Sequence, residues 1–327
     1  MSFPSFLYSQ LFKHLPYPTG DYSGQTIVIT GSNVGLGKEA ARHFARMGAA
    51  KLILAVRNLQ RGQEAKEDIL STTGRTKDVI DIWEVDMASY VSVEKFAARV
   101  NSELDRVDIF LANAGIAPGK YTLAEGNEAS ITVNFISTML LTALVVPKLK
   151  ATAKAYKVRP TLTIVSSDVH AHTTFPQKSA PEGKILEAVS DKEACEKNWD
   201  EQYPVSKILG VFAVRALANR YPASTFPVTI NLVNPGLCHS ELGRDIPTWT
   251  FWLIKLLLAR STEAGSRTLV HAASQGVESH GQYMTDCGTG APSAFVTSAE
   301  GQKAQERVWD ELCKKLELIH PEWMSNF

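Results

Sequence analysis

The chain has 327 residues, with 34 basic and 34 acidic side chains, so its formal net charge is zero and no basic field advertises nucleic acid as a partner. Hydrophobic residues make up 44% of it, enough for a sizeable core. The four cysteines, Cys195, Cys238, Cys287 and Cys313, form no Cys-x-x-Cys pair, which argues against a disulfide framework or a zinc knuckle and for a reducing, cytoplasmic setting.

Residues 1–21 open the chain as an aromatic segment carrying Phe3, Phe6, Tyr8, Phe12 and Tyr17. It lacks a basic start and a continuous apolar run, so it does not read as a signal peptide. Phe3, Leu7 and Leu11 lie four apart and suit a short helix ended by Pro16. A flap packed on the domain is the favoured reading, and a weak membrane-interface anchor is the alternative. Apolar residues 249–259 are too few to span a bilayer and contain Lys255.

A β-branched run, Ile27 to Ile29, reads as a buried strand. Gly31, Gly35 and Gly37 follow within seven residues, and apolar residues then recur at helical spacing over 38–48. Glycines in that context allow a tight turn and let a ligand lie against bare main chain. The N–H groups of the helix's first turn would face a pyrophosphate, with the positive end of the dipole behind them. Further strands are expected at 51–56, 79–85, 107–112, 161–165, 228–233 and 281–284. Helices are expected at 60–71, 89–104, 126–156, 203–220, 262–274 and 299–318, and residues 168–202 form a polar insertion.

Alternating strands and helices predict an α/β fold, a doubly wound parallel sheet of Rossmann type. Ligand contacts in such sheets gather at the strands' carboxyl ends. Gly31, Arg57, Asp86, Asn113, Ser167 and Pro235 therefore become neighbours around one crevice. With no repeat and no Pro/Gly/Ser linker, residues 22–327 are read as a single domain.

Thr30-Gly31-x3-Gly35-x-Gly37, Asp86, Ala112-Asn113-Ala114-Gly115, Asn134, Ser167, Tyr203-x3-Lys207 and Asn234-Pro235-Gly236 stand in an order that resembles the classical short-chain dehydrogenases/reductases. Val56-Arg57-Asn58 and Gly281-x-Tyr283-x2-Asp286-Cys287 look like the retinol-dehydrogenase-like branch. Asn234-Pro235-Gly236-Leu237-Cys238-His239-Ser240 is similar to its fungal members. Two features depart from the pattern. Ala112 replaces the usual first Asn of Asn-Asn-Ala-Gly, and the gap between Ser167 and Tyr203 is long, so substrate specificity cannot be transferred.

Twenty positions beyond Gly37 stands Arg57, where an acidic residue would bind a ribose 2′-OH and an arginine suits a 2′-phosphate. Charge-assisted bonds of this kind are worth about 1.5–3 kcal/mol each, so NADP(H) is expected over NAD(H). A solvated strand end is the plain alternative for Arg57. Lys38 and Asn58 are expected to assist. The turn residues Gly31, Ser32, Asn33, Gly35, Leu36 and Gly37, with Asn113, Ala114 and Gly115, line the nucleotide. The resemblance implies Asp86 and the Met87 backbone at the adenine, although Asp86 also reads as a helix cap. Pro235 and Gly236 are implied at the nicotinamide.

Tyr203 and Lys207 share a helix face, and none of the other eight tyrosines has lysine four residues on. By resemblance Tyr203 is the general acid, Lys207 lowers its pKa and binds the ribose, Ser167 orients the carbonyl, and Asn134 carries a water to Lys207. Ser166 is the rival for the serine role. His170 and His172 are read as loop histidines rather than metal ligands, and His239 as a substrate contact or a solvent-facing residue. Trp249, Phe251, Trp252, Leu253, Leu256 and Leu257 suggest an apolar lid within 240–262. The expected function is NADPH-dependent reduction of a bulky, apolar ketone or aldehyde, or oxidation of the matching alcohol. A polyketide, terpenoid, retinoid or steroid substrate would suit it, and the fungal likeness suggests secondary metabolism. A non-redox member, a cyclase or isomerase or a dinucleotide sensor, is the alternative. The resemblance also implies a homodimer through the helices at 126–156 and 203–220.

Overall fold

The computed structural model describes residues 3–243 and 255–327. The first strand, β1 (Thr26–Thr30), is buried along its whole length. It pairs in parallel with β2 (Lys51–Val56) and β4 (Ile109–Ala112). β3 (Ile80–Glu84) lies outside β2, while β5 (Thr161–Val165), β6 (Thr229–Asn234) and β7 (Tyr283–Thr285) extend the sheet beyond β4. A last strand, β8 (Gly288–Gly290), closes that edge antiparallel to β7. The order β8-β7-β6-β5-β4-β1-β2-β3 places the first crossover reversal between β1 and β4, the position where such sheets open a ligand crevice.

Side chains alternate across the strands into two cores. Ile27 and Ile29 join Leu52, Leu54 and Leu111 on one face, whereas Val28 joins Ile53, Phe110 and Leu162 on the other. The first face is covered by α2 (Gly35–Arg46), α3 (Leu59–Thr73) and, later in the chain, α7 (Thr262–Ala273). The second is covered by α4 (Tyr90–Glu103), α5 (Ala129–Tyr156), α6 (Trp199–Arg220) and α8 (Ala299–Ile319). Because both faces are covered, the strands read as continuous apolar runs rather than alternating ones.

Several elements differ from their expected bounds. α2 begins at Gly35, three residues before the apolar periodicity, since glycine contributes no apolar face to reveal the first turn. α6 begins at Trp199 and runs through Pro204, its sixth residue, which forgoes the backbone bond to the Asp200 carbonyl and hides the helix start from a sequence reading. β8, three residues of Gly-Thr-Gly, gives no strand signal of its own. The insertion at 168–202 is less polar than its composition suggests. Short helices there send Phe175, Ile185 and Val189 into the core, and Glu311 of α8 accepts the Ile185 and Leu186 N–H groups at 3.0 and 2.8 Å.

The helix α1 (Phe3–Phe12) and the chain to Pro18 lie against the domain. Tyr17 is stacked under Arg46 and Arg267, at 4.3 and 5.2 Å from its ring centre. α5 is the one described helix long and apolar enough to cross a bilayer, and its apolar window is entirely buried in the fold. The two helices expected at a dimer contact carry the chain's own C-terminus. α8 lies along α6, where Arg220 pairs with Glu306, and Lys150 of α5 donates to the Phe327 carbonyl at 2.9 Å. Of the expected lid, Trp249, Phe251, Trp252 and Leu253 fall outside the described residues, and Leu256 and Leu257 are exposed.

Candidate active site

The glycine turn leaves β1 with Gly31 and Gly35 in the left-handed region, at φ +65° and +62°. A Cβ on Gly37 would lie 2.5 Å from Asn113 Nδ2 and 2.7 Å from the Gly31 carbonyl, so nothing larger fits. Gly35 instead faces open space, with Ser240 Cβ the nearest atom at 4.0 Å. Thr30 ties the turn to β4: its Oγ1 accepts the N–H groups of Asn113 and Ala114, both at 3.0 Å. Asn113 Nδ2 donates in return to the carbonyls of Thr30 and Gly31 at 2.9 and 3.0 Å. Ser32 donates to the Ile29 carbonyl at 2.8 Å. Val34, before α2, offers no side-chain cap, so the helix's first N–H groups have no side-chain acceptor there.

Arg57 follows β2, exposed and with no hydrogen bond or ion pair among the described residues. The two assistants expected beside it are otherwise engaged. Lys38 pairs with Asp68 at 2.7 Å, and Asn58 caps α3 by accepting the Arg61 N–H at 2.9 Å. A cavity of about 270 Å³ beside the turn is lined by Asn33, Lys38, Arg61, Glu64, Ala65 and Glu241, which adds Arg61 to the cations on this side. Its position, four residues beyond Arg57 in the first turn of α3, was the available sequence signal. Beyond β3, Asp86 accepts the Ala88 N–H at 2.9 Å, whereas Ser89 caps α4. Met87 is buried beside it.

At the other end of the crevice, β5 delivers Ser166 and Ser167. Ser166 is buried with its hydroxyl unpartnered, whereas Ser167 is the hydroxyl neighbour that eases ionisation of Tyr203. The neighbouring His170 is no loop histidine. It is buried, with Nδ1 at 2.7 Å from the Ser167 carbonyl and Nε2 accepting the Ser293 N–H at 2.9 Å, which places its proton on Nδ1. Its ring therefore anchors the backbone that carries Ser167, and burial holds its pKa below the ordinary histidine value. Among the described residues no group of three or more His, Cys, Asp and Glu side chains could hold a metal. His239 is exposed, and its N–H donates to the Arg260 carbonyl at 2.9 Å.

Lys207 sits one turn along α6 from Tyr203, with Nζ 5.6 Å from that ring's centre and donating to the Val165 carbonyl at 3.1 Å. Asn134 lies in a π-turn within α5 (Thr132–Ile136), a departure common at functional sites. Its amide exchanges two 2.8 Å bonds with the Ile116 backbone and donates to Ser206 at 3.0 Å. Gly115 stands between Asn134 and Lys207, for a Cβ there would lie 3.1 Å from Asn134 Oδ1 and 3.6 Å from Lys207 Nζ.

Burial dominates the electrostatics. It pushes the Tyr203 phenol above its ordinary value, opposed by the neighbouring Ser167 hydroxyl and assisted by the Asp168 charge. It also pulls the Lys207 ammonium down to about 8. The phenol thus holds its proton more tightly than a free tyrosine, with no contribution from Lys207 among the causes, and the ammonium holds its own less tightly than a free lysine.

Pro235 and Gly236, beyond β6, are held by residues that sequence reasoning overlooked. The Arg260 guanidinium, 8% exposed, donates to the Pro235 carbonyl at 3.2 Å, to the Ser9 carbonyl at 2.6 Å and to Asp286 at 2.7 Å. Gln10 of α1 reaches the same loop, donating to the Leu237 carbonyl at 2.8 Å and accepting its N–H at 3.2 Å. Asp286 and Cys287, both at positive φ, form the turn that presents the carboxylate. No local pattern announces this cluster, because Ser9, Arg260 and Asp286 are brought together only by the fold.

The short chain dehydrogenase family profile matches residues 25–159. The chain is 68% identical over 322 residues to the short chain dehydrogenase/reductase dmxR8 of Cryptosporiopsis sp., spanning 98% of this chain and 99% of that one. It belongs to the short-chain dehydrogenase/reductase family. The short-chain dehydrogenase anuD of Penicillium roqueforti is 40% identical, over 98% of this chain and 85% of that protein. Among solved structures, a protein from Mycobacterium paratuberculosis superposes with TM-score 0.64 at 23% identity, over 90% of this chain and 96% of that one. A Shigella flexneri short chain dehydrogenase complexed with NADP gives 0.57 at 21%, over 81% and 97%. These solved relatives share the fold, and the fungal sequences carry the family.

Proposed function

We propose that this oxidoreductase reduces a bulky, apolar ketone or aldehyde with NADPH. The observation that carries the reading is the placement of Ser167 beside the buried Tyr203 phenol, with Lys207 one turn away on α6. The phenol carries its proton at neutral pH, as a group that protonates a carbonyl oxygen must. Ser167 Oγ and Tyr203 Oη together form a two-point cradle for that oxygen. Lys207 places positive charge behind the phenol, so the phenolate left by proton donation is formed beside a cation.

The residues present fit a dinucleotide. The left-handed Gly35, the close packing at Gly37 and the N-terminus of α2 without a side-chain cap make a surface that a pyrophosphate can approach. Asp86 and Met87 would lie at the adenine, Asn113, Ala114 and Gly115 along the nucleotide, and Pro235 and Gly236 at the nicotinamide. Arg57, with no partner among the described residues, supports a 2′-phosphate and hence NADPH over NADH. When bound, the nicotinamide supplies the hydride to the carbonyl carbon. The apolar residues within 240–262 and the likeness to fungal enzymes support a hydrophobic substrate from secondary metabolism, and the four free cysteines support a cytoplasmic setting.

Replacing Tyr203 by Phe is expected to lower kcat by about 10²–10⁴-fold while NADPH binding, followed by its fluorescence, is retained. Undiminished turnover of a ketone panel by the variant would remove Tyr203 from the chemistry.

A further inference from the structure

Directly after Ser167 the chain places a carboxylate that the mechanism above does not use. Asp168 is half-buried, and Ser167 Oγ lies 3.4 Å from its Oδ1. Its backbone N–H donates to Asn234 Oδ1 at 3.2 Å, which fixes the residue between the ends of β5 and β6. Among the described residues it pairs with no cation, unlike the equally half-buried Asp286, which has Arg260. An ionised carboxylate offers about four acceptor sites, and one long bond to Ser167 leaves most of them unfilled. Its charge also reaches Tyr203, Tyr283 and Cys238, which surround this end of the crevice. The Tyr283 hydroxyl is itself buried without a partner.

A carboxylate in that place has a consequence for what can bind. An apolar ligand seated over it would strip its water and return no hydrogen bond, whereas a ligand with a hydroxyl there would replace the water with a charge-assisted bond. A carboxylate or phosphate on the ligand would meet repulsion. The reacting carbonyl oxygen belongs at Ser167 Oγ, and Asp168 Oδ1 lies 3.4 Å from that same atom, so the donor must be close to the carbonyl on the substrate skeleton.

We infer that Asp168 is a specificity-determining residue which accepts a hydrogen bond from a substrate hydroxyl one or two carbons from the reacting carbonyl, so that the substrate class is hydroxy ketones on an apolar frame. This rests on the reductase reading above. The hydroxyl is neither oxidised nor transferred, and the hydride and proton go to the carbonyl as before.

The test compares matched ketones of nearly equal shape: α-hydroxyacetophenone against propiophenone, and β-hydroxypropiophenone against butyrophenone. Turnover with NADPH is measured for wild type, Asp168→Asn and Asp168→Ala, with thermal unfolding to verify folding. At least one hydroxylated member is expected to exceed its partner tenfold or more in kcat/KM with wild type, chiefly through KM. That ratio is expected to fall towards one in Asp168→Ala and to be partly kept by Asp168→Asn, whose amide oxygen still accepts. A ratio unchanged in the folded Asp168→Ala protein, or a wild type indifferent to the hydroxyl, would overturn the assignment while leaving the reductase reading intact. No turnover of any ketone by wild type would instead overturn the reductase reading and this inference with it.

Discussion

The two ends of the crevice are fixed by different physical means. At the end we propose for the nucleotide, the main chain itself makes the surface. Gly31 and Gly35 adopt left-handed conformations, Gly37 admits no side chain, and Thr30 and Asn113 knit two neighbouring loops through backbone groups. At the substrate end the site is made by buried polar side chains from distant parts of the sequence: His170 under Ser167, Arg260 under Pro235, and Lys207 beneath the crevice floor. A backbone site is insensitive to protonation, whereas a site of buried ionisable groups responds to pH and to each neighbouring charge. The first end suits constant recognition of one nucleotide, and the second can be retuned residue by residue.

The sharpest way to probe that contrast is through Lys207. Burial holds its ammonium at about 8, against an unfolded value of 10.5. Below pH 8 both states keep the proton, and the native protein bears the full cost of burying the charge. Between pH 8 and 10.5 the unfolded chain binds more protons, so this group makes native stability rise with pH. Chemical denaturation at pH 8 and pH 10 is expected to show wild type gaining about 2–3 kcal/mol relative to Lys207→Met. A difference that stays flat over this window would mean that Lys207 is solvated rather than buried.

A smaller effect is expected at Arg57, the side chain we propose for the 2′-phosphate. Arg57→Ala should weaken NADPH binding by about ten- to a hundredfold and leave NADH nearly unaffected. Titrations in which both nucleotides weaken equally would separate Arg57 from 2′-phosphate recognition. Smallest of all is the change expected at Gln10. Removing its bonds to the Leu237 loop by Gln10→Ala should cost about 1 kcal/mol of stability, seen as a modest fall in Tm. An unchanged Tm would show that α1 rests on the domain without bracing it.

Much of the fold was legible because parallel strands buried on both faces write themselves as apolar runs, and Ile27 to Ile29, residues 51–56 and residues 161–165 all do so. The glycine turn and the Tyr203/Lys207 spacing were legible for the same kind of reason, since glycine's conformational freedom and the pitch of a helix act over a few residues. The extent of α2 and α6 was less so, because glycine and proline conceal helix starts that tertiary contacts then enforce.

What the order of residues determined alone was therefore local: the alternation of elements, the turn that bares its backbone, and the Tyr203 and Lys207 side chains on one helical face. The tertiary structure decided everything that depends on desolvation and on partners far apart in the chain. It placed His170 under Ser167, drew Ser9, Arg260 and Asp286 into one cluster, and moved the Tyr203 and Lys207 proton affinities in opposite directions. Burial is a property of the packed molecule, so no spacing of residues along the chain can state it in advance.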